Sequence, residues 1–209
     1  MSVPRDLAIF DFDRTLVAED SFLLFSRIAA RSPMARLRTL GLASLCKSGL
    51  IGNDEYKRRI LRSIWAPRSS AGRSQITEEL CARLREIERS SVLRRLHEHL
   101  ARRDQVVVIS ASPSFYLIPF VRSWSERIEV FGSSVSEDGQ LIENLRGEKK
   151  AAVVRKLIRE RSPAAIWVYT DSDSDLPLIE LSTHVRLVHP SARLLRHLRR
   201  RGIAFEMIT

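Results

Sequence analysis

The 209-residue sequence predicts an α/β fold, with a three-layer core around a mostly parallel sheet and an all-helical insertion behind the first strand. Three observations predict it. Short runs of β-branched and aromatic residues recur along the chain and end in polar or acidic residues. Patterns of helical period lie between several of them. From about Asp20 to Arg103, by contrast, no convincing strand occurs.

The first run, Leu7-Ala8-Ile9-Phe10, leads into Asp11. Four apolar residues without alternation suit a strand covered on both faces, as in a parallel sheet. The insertion follows. Phe22, Phe25, Ile28 and Ala29, then Leu37, Leu40, Ala43 and Leu45, recur at helical spacing. So do Tyr56, Ile60, Leu61 and Ile64, and then Leu80, Leu84 and Ile87. Pro33, Gly49, Gly52, Pro67 and Gly72 punctuate them. A helix around residues 92–100 is assigned to the core. Strands are expected at 106–109 before Ser110, at 128–131, at 165–169 before Asp171, at 185–188 and at 204–208. Ala151, Val154, Leu157 and Ile158 mark one intervening helix, and Leu194, Leu195 and Leu198 another. The expected division is a core of residues 1–18 and 91–209, with a helical domain of residues 19–90.

A hydrophobic fraction of 44% and a charged fraction of 29% exclude a disordered chain or a collagen-like repeat. Cys46 and Cys81 are far apart and form no C-x-x-C pair, which argues for a reduced compartment. No apolar run reaches the roughly 18–20 residues of a membrane span. Met1-Ser2-Val3-Pro4 has none of the features of a secretory leader, so a cytoplasmic protein is expected.

The formal net charge of +10 favours anionic partners: phosphorylated metabolites, nucleic acid or an acidic membrane surface. Residues 19–90 carry 14 Lys+Arg against 8 Asp+Glu, so +6 of that excess. Arg186, Arg193, Arg196, Arg199, Arg200 and Arg201 are read as a charged outer helix face, and nucleic acid is not the expected partner. Residues 37–52 are fairly apolar and are read as a helix packed within the insertion, with peripheral membrane contact as the other reading. His97 and His99 lack metal-ligating cysteines and read as part of a solvated helix. There is no G-x-S-x-G, no P-loop and no dinucleotide fingerprint.

Chemistry concentrates at the ends of the expected strands. Asp11-Phe12-Asp13-Arg14-Thr15-Leu16 follows the first strand and puts two carboxylates where open α/β sheets bind ligands. Ser110 ends the second. Lys149-Lys150 opens the helix after Gly147, and Thr170-Asp171-Ser172-Asp173-Ser174-Asp175 ends the strand at 165–169. Such a set can hold a divalent cation and a phosphoryl group, because Mg²⁺ takes oxygen ligands and shares them with substrate phosphate.

These four segments resemble the motifs of the haloacid dehalogenase superfamily, namely Asp11-x-Asp13-x-Thr15, Ser110, a lysine, and Asp171-Ser172-x-x-Asp175. The resemblance runs from Leu7 to the C-terminus. It is strongest to subfamily IB, the phosphoserine-phosphatase-like group, which implies a Rossmann-like core with a C1-type helical cap. It implies a Mg²⁺-dependent phosphomonoesterase acting on a small phosphorylated metabolite. Asp11 would be the nucleophile and Asp13 the general acid and base. Thr15 and Ser110 would position the phosphate, and a lysine would neutralise charge. The implied metal set is Asp11, Asp13 through its backbone carbonyl, Asp171 and Asp175, the last either acting behind the direct ligands or holding the lysine. Dehalogenases of the superfamily lack the second aspartate, so Asp13 favours phosphate-ester hydrolysis.

Of the two lysines, Lys150 fits the G-x-x-K spacing and has Val154, Leu157 and Ile158 on its own helix face. Arg14 stands where the motif often has glycine, and either reaches a second anionic group or faces solvent. Asp20 either contacts substrate or caps a helix before Ser21-Phe22-Leu23, the cap being preferred. Thr170 replaces a usual glycine, which would tighten its loop, and Asp173 reads as a surface residue. A phosphotransferase with the same intermediate, or a non-catalytic basic protein that binds nucleic acid or membrane, are the rival readings. The sequence names neither a substrate nor an oligomeric state.

Overall fold

In a computed structural model that describes residues 5–208, the apolar runs become the strands β1 (Leu7–Phe10), β2 (Gln105–Pro113), β3 (Glu129–Val135), β4 (Leu141–Glu143), β5 (Ile166–Thr170), β6 (His184–Val188) and β7 (Glu206–Ile208). They form one sheet in the order β4-β3-β2-β1-β5-β6-β7. All neighbours are parallel except β3 and β4. The expectation drawn from Met1-Ser2-Val3-Pro4 falls outside the described residues.

The four residues of β1 are all buried because each face of the sheet is covered. Ala8 and Phe10 join one apolar cluster, and Leu7 and Ile9 the other. Helices α1 (Ser21–Ala29), α2 (Pro33–Lys47), α3 (Asn53–Ile60) and α4 (Ser70–Glu86) lie between β1 and α5 (Ser90–Ala101), as the absence of strand signals predicts. A π-helical turn, Leu61–Trp65, continues α3. Helix α5 packs on β1 and β2, in keeping with its assignment to the core. The first face of the sheet is completed by α6 (Ser114–Arg122). The second is covered by α7 (Glu148–Arg161), α8 (Leu176–Ile179) and α9 (Ala192–Arg200). Ser32, Ser69 and Ser191 cap α2, α4 and α9 through their side chains. Among the described residues no helix is long and apolar enough to cross a membrane.

Four readings need correction. The strand β4 was not expected: it is only three residues long, and of these only Leu141 is buried, so it leaves no pattern to find. Helix α2 forms as expected but does not bury Leu37, Leu40 and Leu45. Its inner face is Thr39 and Leu42, with Ala43 and Cys46 partly covered. Apolar residues occupy both faces of this helix, so spacing alone could not say which face turns inward.

His99 is the third. It is buried, with Nδ1 2.7 Å from Asp104 Oδ2 and Nε2 2.9 Å from the Tyr169 hydroxyl, while His97 is exposed. Burial holds its imidazole below the ordinary value, against the pull of Asp104. We expect His99→Leu to cost about 1–3 kcal/mol in a urea unfolding experiment, because it strands the Tyr169 hydroxyl and leaves the Asp104 carboxylate to Arg102 alone. A change under about 0.5 kcal/mol would make the network irrelevant to folding. Arg193, Arg196, Arg199, Arg200 and Arg201 are exposed on or just after α9, Arg193 lying 3.6 Å from Asp173. Arg186 is the fourth, departing from the expected helix face: it is on β6, mostly buried over the Trp167 ring and 2.9 Å from Glu206.

Candidate active site

The strand order reverses around β1: the chain passes to β2 and β3 on one side, then to β5 and β6 on the other. Ligands in open α/β sheets bind at such a switch, beyond the carboxyl ends of the strands. There a cavity of about 160 Å³ is lined by Asp11, Asp13 and Arg14 after β1, Ser110 and Ala111 on β2, Lys150 on α7, and Asp171, Ser172 and Ser174 after β5. Asp20, Phe22, Asn53, Tyr56, Lys57 and Arg146 complete its wall. An open groove of about 690 Å³ near Arg27, Arg36 and Leu40 shares no lining residue with it and gathers no motif side chain.

Lys150 is the centre of the charge arrangement. Its ammonium donates to Asp11 Oδ1 at 2.7 Å and to Asp175 Oδ2 at 3.2 Å, and lies 3.0 Å from Asp175 Oδ1 as an ion pair. All three side chains are buried. Burial alone would lower the lysine, but Asp11 and Asp175 outweigh it and hold the ammonium above its ordinary value. Lys149 is exposed and 3.6 Å from Glu143. Gly147 explains the register: its φ of +57° turns the chain into α7, so that the third residue on points inward.

Asp11 is pushed up to about 8 by burial, against Lys150 and with Asp175 and Asp171 adding to it. Asp171 is pushed to about 6 by burial and by Asp175, with Arg14 pulling down. Asp13 is raised by burial and by Asp20, but two donors restrain it: the Ser21 amide to Oδ1 at 2.7 Å and the Ser112 hydroxyl to Oδ2 at 2.6 Å. Behind Ser112 runs a hydroxyl chain, Ser112 to Ser21 at 2.8 Å and Ser21 to Tyr116 at 2.9 Å.

The remaining expected residues sort by position. The Ser110 hydroxyl lines the cavity and accepts from the Ser112 amide at 3.0 Å, where the pairing of β2 with β3 shifts register. Thr15 is fully buried behind Asp171, with 3.4 Å between their oxygens, and does not line the cavity. Nor does Asp175, whose Oδ2 also accepts from Thr170 at 2.7 Å; Thr170 does tie its loop together. Asp20 caps α1 by accepting from the Leu23 amide at 2.9 Å and still faces the cavity. Arg14 is exposed at the rim with φ +60°, the left-handed region that favours glycine, which accounts for the residue usual there.

Several wall residues carried no motif. Lys57 of α3 is buried and donates to the Ala111 carbonyl at 2.6 Å and to Asn144 Oδ1 at 2.8 Å; burial lowers it to about 8 despite Asp13 and Asp20. The Asn144 amide donates in turn to Asn53 and Asp54, so α3 is stitched to the end of β2. A lysine in a charged helical segment reads as solvated, so Lys57 gave no signal. Arg146, one residue before the G-x-x-K turn, could have been found from that adjacency.

Oxygen donors and the clustered, raised carboxyls of Asp11 and Asp171 fit a hard divalent cation. Among the described residues no three Asp, Glu, His or Cys side chains could hold a metal by themselves. A cation here would therefore need backbone, substrate or water oxygens as well, which is the habit of Mg²⁺.

A family model for haloacid dehalogenase-like hydrolases matches residues 8–180. A Mycobacterium tuberculosis protein described as a probable phosphatase is 27% identical over 216 residues, covering 95% of this chain and 74% of its own. A Bordetella pertussis Tohama I protein of unknown function has the same fold, with a TM-score of 0.86 at 23% identity over 99% of both chains. The structure of a phospho-aspartyl intermediate analogue of phosphoserine phosphatase gives 0.69 at 14% identity, over 95% of this chain and 99% of the other. The model match takes in β1, the inserted helices and all four motif segments, and the chain belongs to the haloacid dehalogenase-like hydrolases.

Proposed function

We propose that this chain is a Mg²⁺-dependent phosphomonoesterase that works through an aspartyl-phosphate on a small phosphorylated metabolite. Residues 19–90 serve as a cap over the cavity, and residues 1–18 and 91–209 as the core. The observation that carries the reading is the placement of Lys150 between Asp11 and Asp175, in the cavity where Asp13 is held by Ser21 and Ser112. The likenesses to a probable phosphatase and to a phosphoserine phosphatase support it.

Mg²⁺ held by Asp11, Asp171 and the Asp13 backbone carbonyl would keep Asp11 ionised and offset the charge of the phosphoryl oxygens. Asp11 then supplies the carboxylate oxygen that attacks phosphorus, giving an acyl-phosphate as the ester oxygen leaves. Lys150 neutralises charge beside it, and Asp175 holds that ammonium in place from outside the cavity. Phosphoryl transfer depends mainly on such positioning and electrostatics. Asp13, raised by burial, carries the proton that the leaving oxygen takes, then removes one from the water that cleaves the acyl-phosphate. The Ser112–Ser21–Tyr116 hydroxyls can turn to donate to Asp13 when it is ionised and accept from it when it is protonated. Ser110 and the rim cation Arg14 face the substrate, and Thr15 steadies Asp171. The cavity's size suits a small substrate.

The test is phosphate release from a panel of phosphorylated metabolites with Mg²⁺, with EDTA, and after Mg²⁺ is restored. We expect turnover of at least one ester, its loss with EDTA and its recovery. Turnover that survives EDTA, or a panel left untouched with Mg²⁺ present, would sink the reading.

A further inference from the structure

Five of the seven exposed large apolar side chains among the described residues lie within residues 34–50: Met34, Leu37, Leu40, Leu45 and Leu50. Met34, Leu37 and Leu50 are 74%, 67% and 73% exposed. Side chains so open gain nothing from folding, and a contiguous apolar patch on a surface marks contact with something else.

Their arrangement says with what. At about 100° per residue, Met34, Leu37, Leu40 and Leu45 fall in a band about 140° wide on the face of α2 opposite buried Thr39 and Leu42. Arg38 borders that band on one side and Arg36 and Lys47 on the other, and all three are exposed. Leu50, just past the end of the helix and beyond the Gly49 turn, is exposed as well. The segment itself carries one sign: between Ser21 and Asn53 there are five Lys and Arg and no Asp or Glu, while Glu79 of α4, in the groove that Leu40 lines, is paired with Arg31. An exposed apolar band flanked by cations matches the interfacial helices that lie in the headgroup region of a bilayer. Their leucines enter the acyl boundary while arginines and lysines reach anionic headgroups. A second copy of this chain would bring the same positive charge to the contact and meet repulsion.

We propose that α2 and the turn after it dock this protein on the surface of an anionic lipid bilayer, lying on the membrane without crossing it. The proposal is independent of the phosphatase reading, since it concerns the outer face of α2 and none of the cavity's residues. Docking would bring the inserted helices, which supply Asn53, Tyr56 and Lys57 to the cavity, close to the lipid headgroups.

The test is co-sedimentation of the full chain with phosphatidylcholine vesicles, with and without about 30% phosphatidylglycerol to give a negative surface. We expect binding to the anionic vesicles that weakens with salt, and binding at least about tenfold weaker to neutral ones. Leu37→Asp with Leu50→Asp should lower binding to anionic vesicles by about tenfold or more without lowering the melting temperature. Arg36→Ser with Arg38→Ser, which leaves the apolar band intact, should lower it severalfold and decides the matter if the aspartate variant does not fold. Failure to bind anionic vesicles, equal binding to neutral ones, or indifference to both double variants would overturn the proposal. A lipid-free dimer that the aspartate variant dissociates would overturn it too, in favour of a second copy.

Discussion

Asp11→Asn should abolish turnover and yet give a protein that, free of divalent cation, is more stable than the original chain at neutral pH. The loss follows from removing the attacking oxygen: comparable removals of a nucleophile cost on the order of 10⁴–10⁶ in kcat. The gain follows from the carboxylate's position. Asp11 titrates at about 8 in the folded protein, against 3.8 for the free side chain, because burial, Asp175 and Asp171 outweigh Lys150. Between those values the folded state binds more protons than the unfolded one, so stability falls as pH rises from about 4 to 8. Asparagine keeps the neutral form at every pH and escapes that loss. The two proteins should therefore melt alike near pH 4 and diverge as pH climbs to 8, in EDTA. Mg²⁺ should narrow the gap by binding only the folded state of the original chain with full affinity. A variant that turns over substrate, or that melts below the original chain throughout, would contradict this account of the site.

The largest loss of stability is expected at Lys150. Lys150→Met keeps the volume and the helix propensity but leaves Asp11 and Asp175 buried without their cation. Breaking a buried pair by removing one partner costs about 3–5 kcal/mol, and here one ammonium serves two carboxylates. The adjacent Lys149→Met is the control. That side chain is exposed and its ion pair with Glu143 is half-exposed, so the change should stay within about 0.5 kcal/mol. Urea unfolding of both variants at pH 7 reads the difference directly. Similar values for the two lysines would remove Lys150 from the centre of the site.

Much of the site was legible because its residues stand at the ends of strands, where an apolar run breaks into polar residues. Asp11 after β1, Ser110 on β2 and Asp171 after β5 could be marked from that break alone, and Lys150 from a glycine turn and a helix register. Lys57, Ser21, Ser112 and Tyr116 could not. They lie on helices and a bulged strand segment, and their side-chain polar groups find partners 54 to 99 residues away in the chain. Nothing local distinguishes a lysine that will be buried against a carbonyl from one that will face water. His99 was misread for the same reason, since its hydroxyl partner comes from β5.

By itself, then, the sequence determined the alternation of strands and helices, the place of the insertion, and which carboxylates and lysine belong to the chemistry. Those properties follow from short-range patterns: hydrophobic period, turn glycines and the residue that ends a strand. Only the tertiary structure decided which face of α2 turns outward, which buried groups hold Asp13, and that Asp175 serves Lys150 while Thr15 serves Asp171. Each of these depends on burial and on partners brought from distant segments, and desolvation and pairing exist only once the chain has packed.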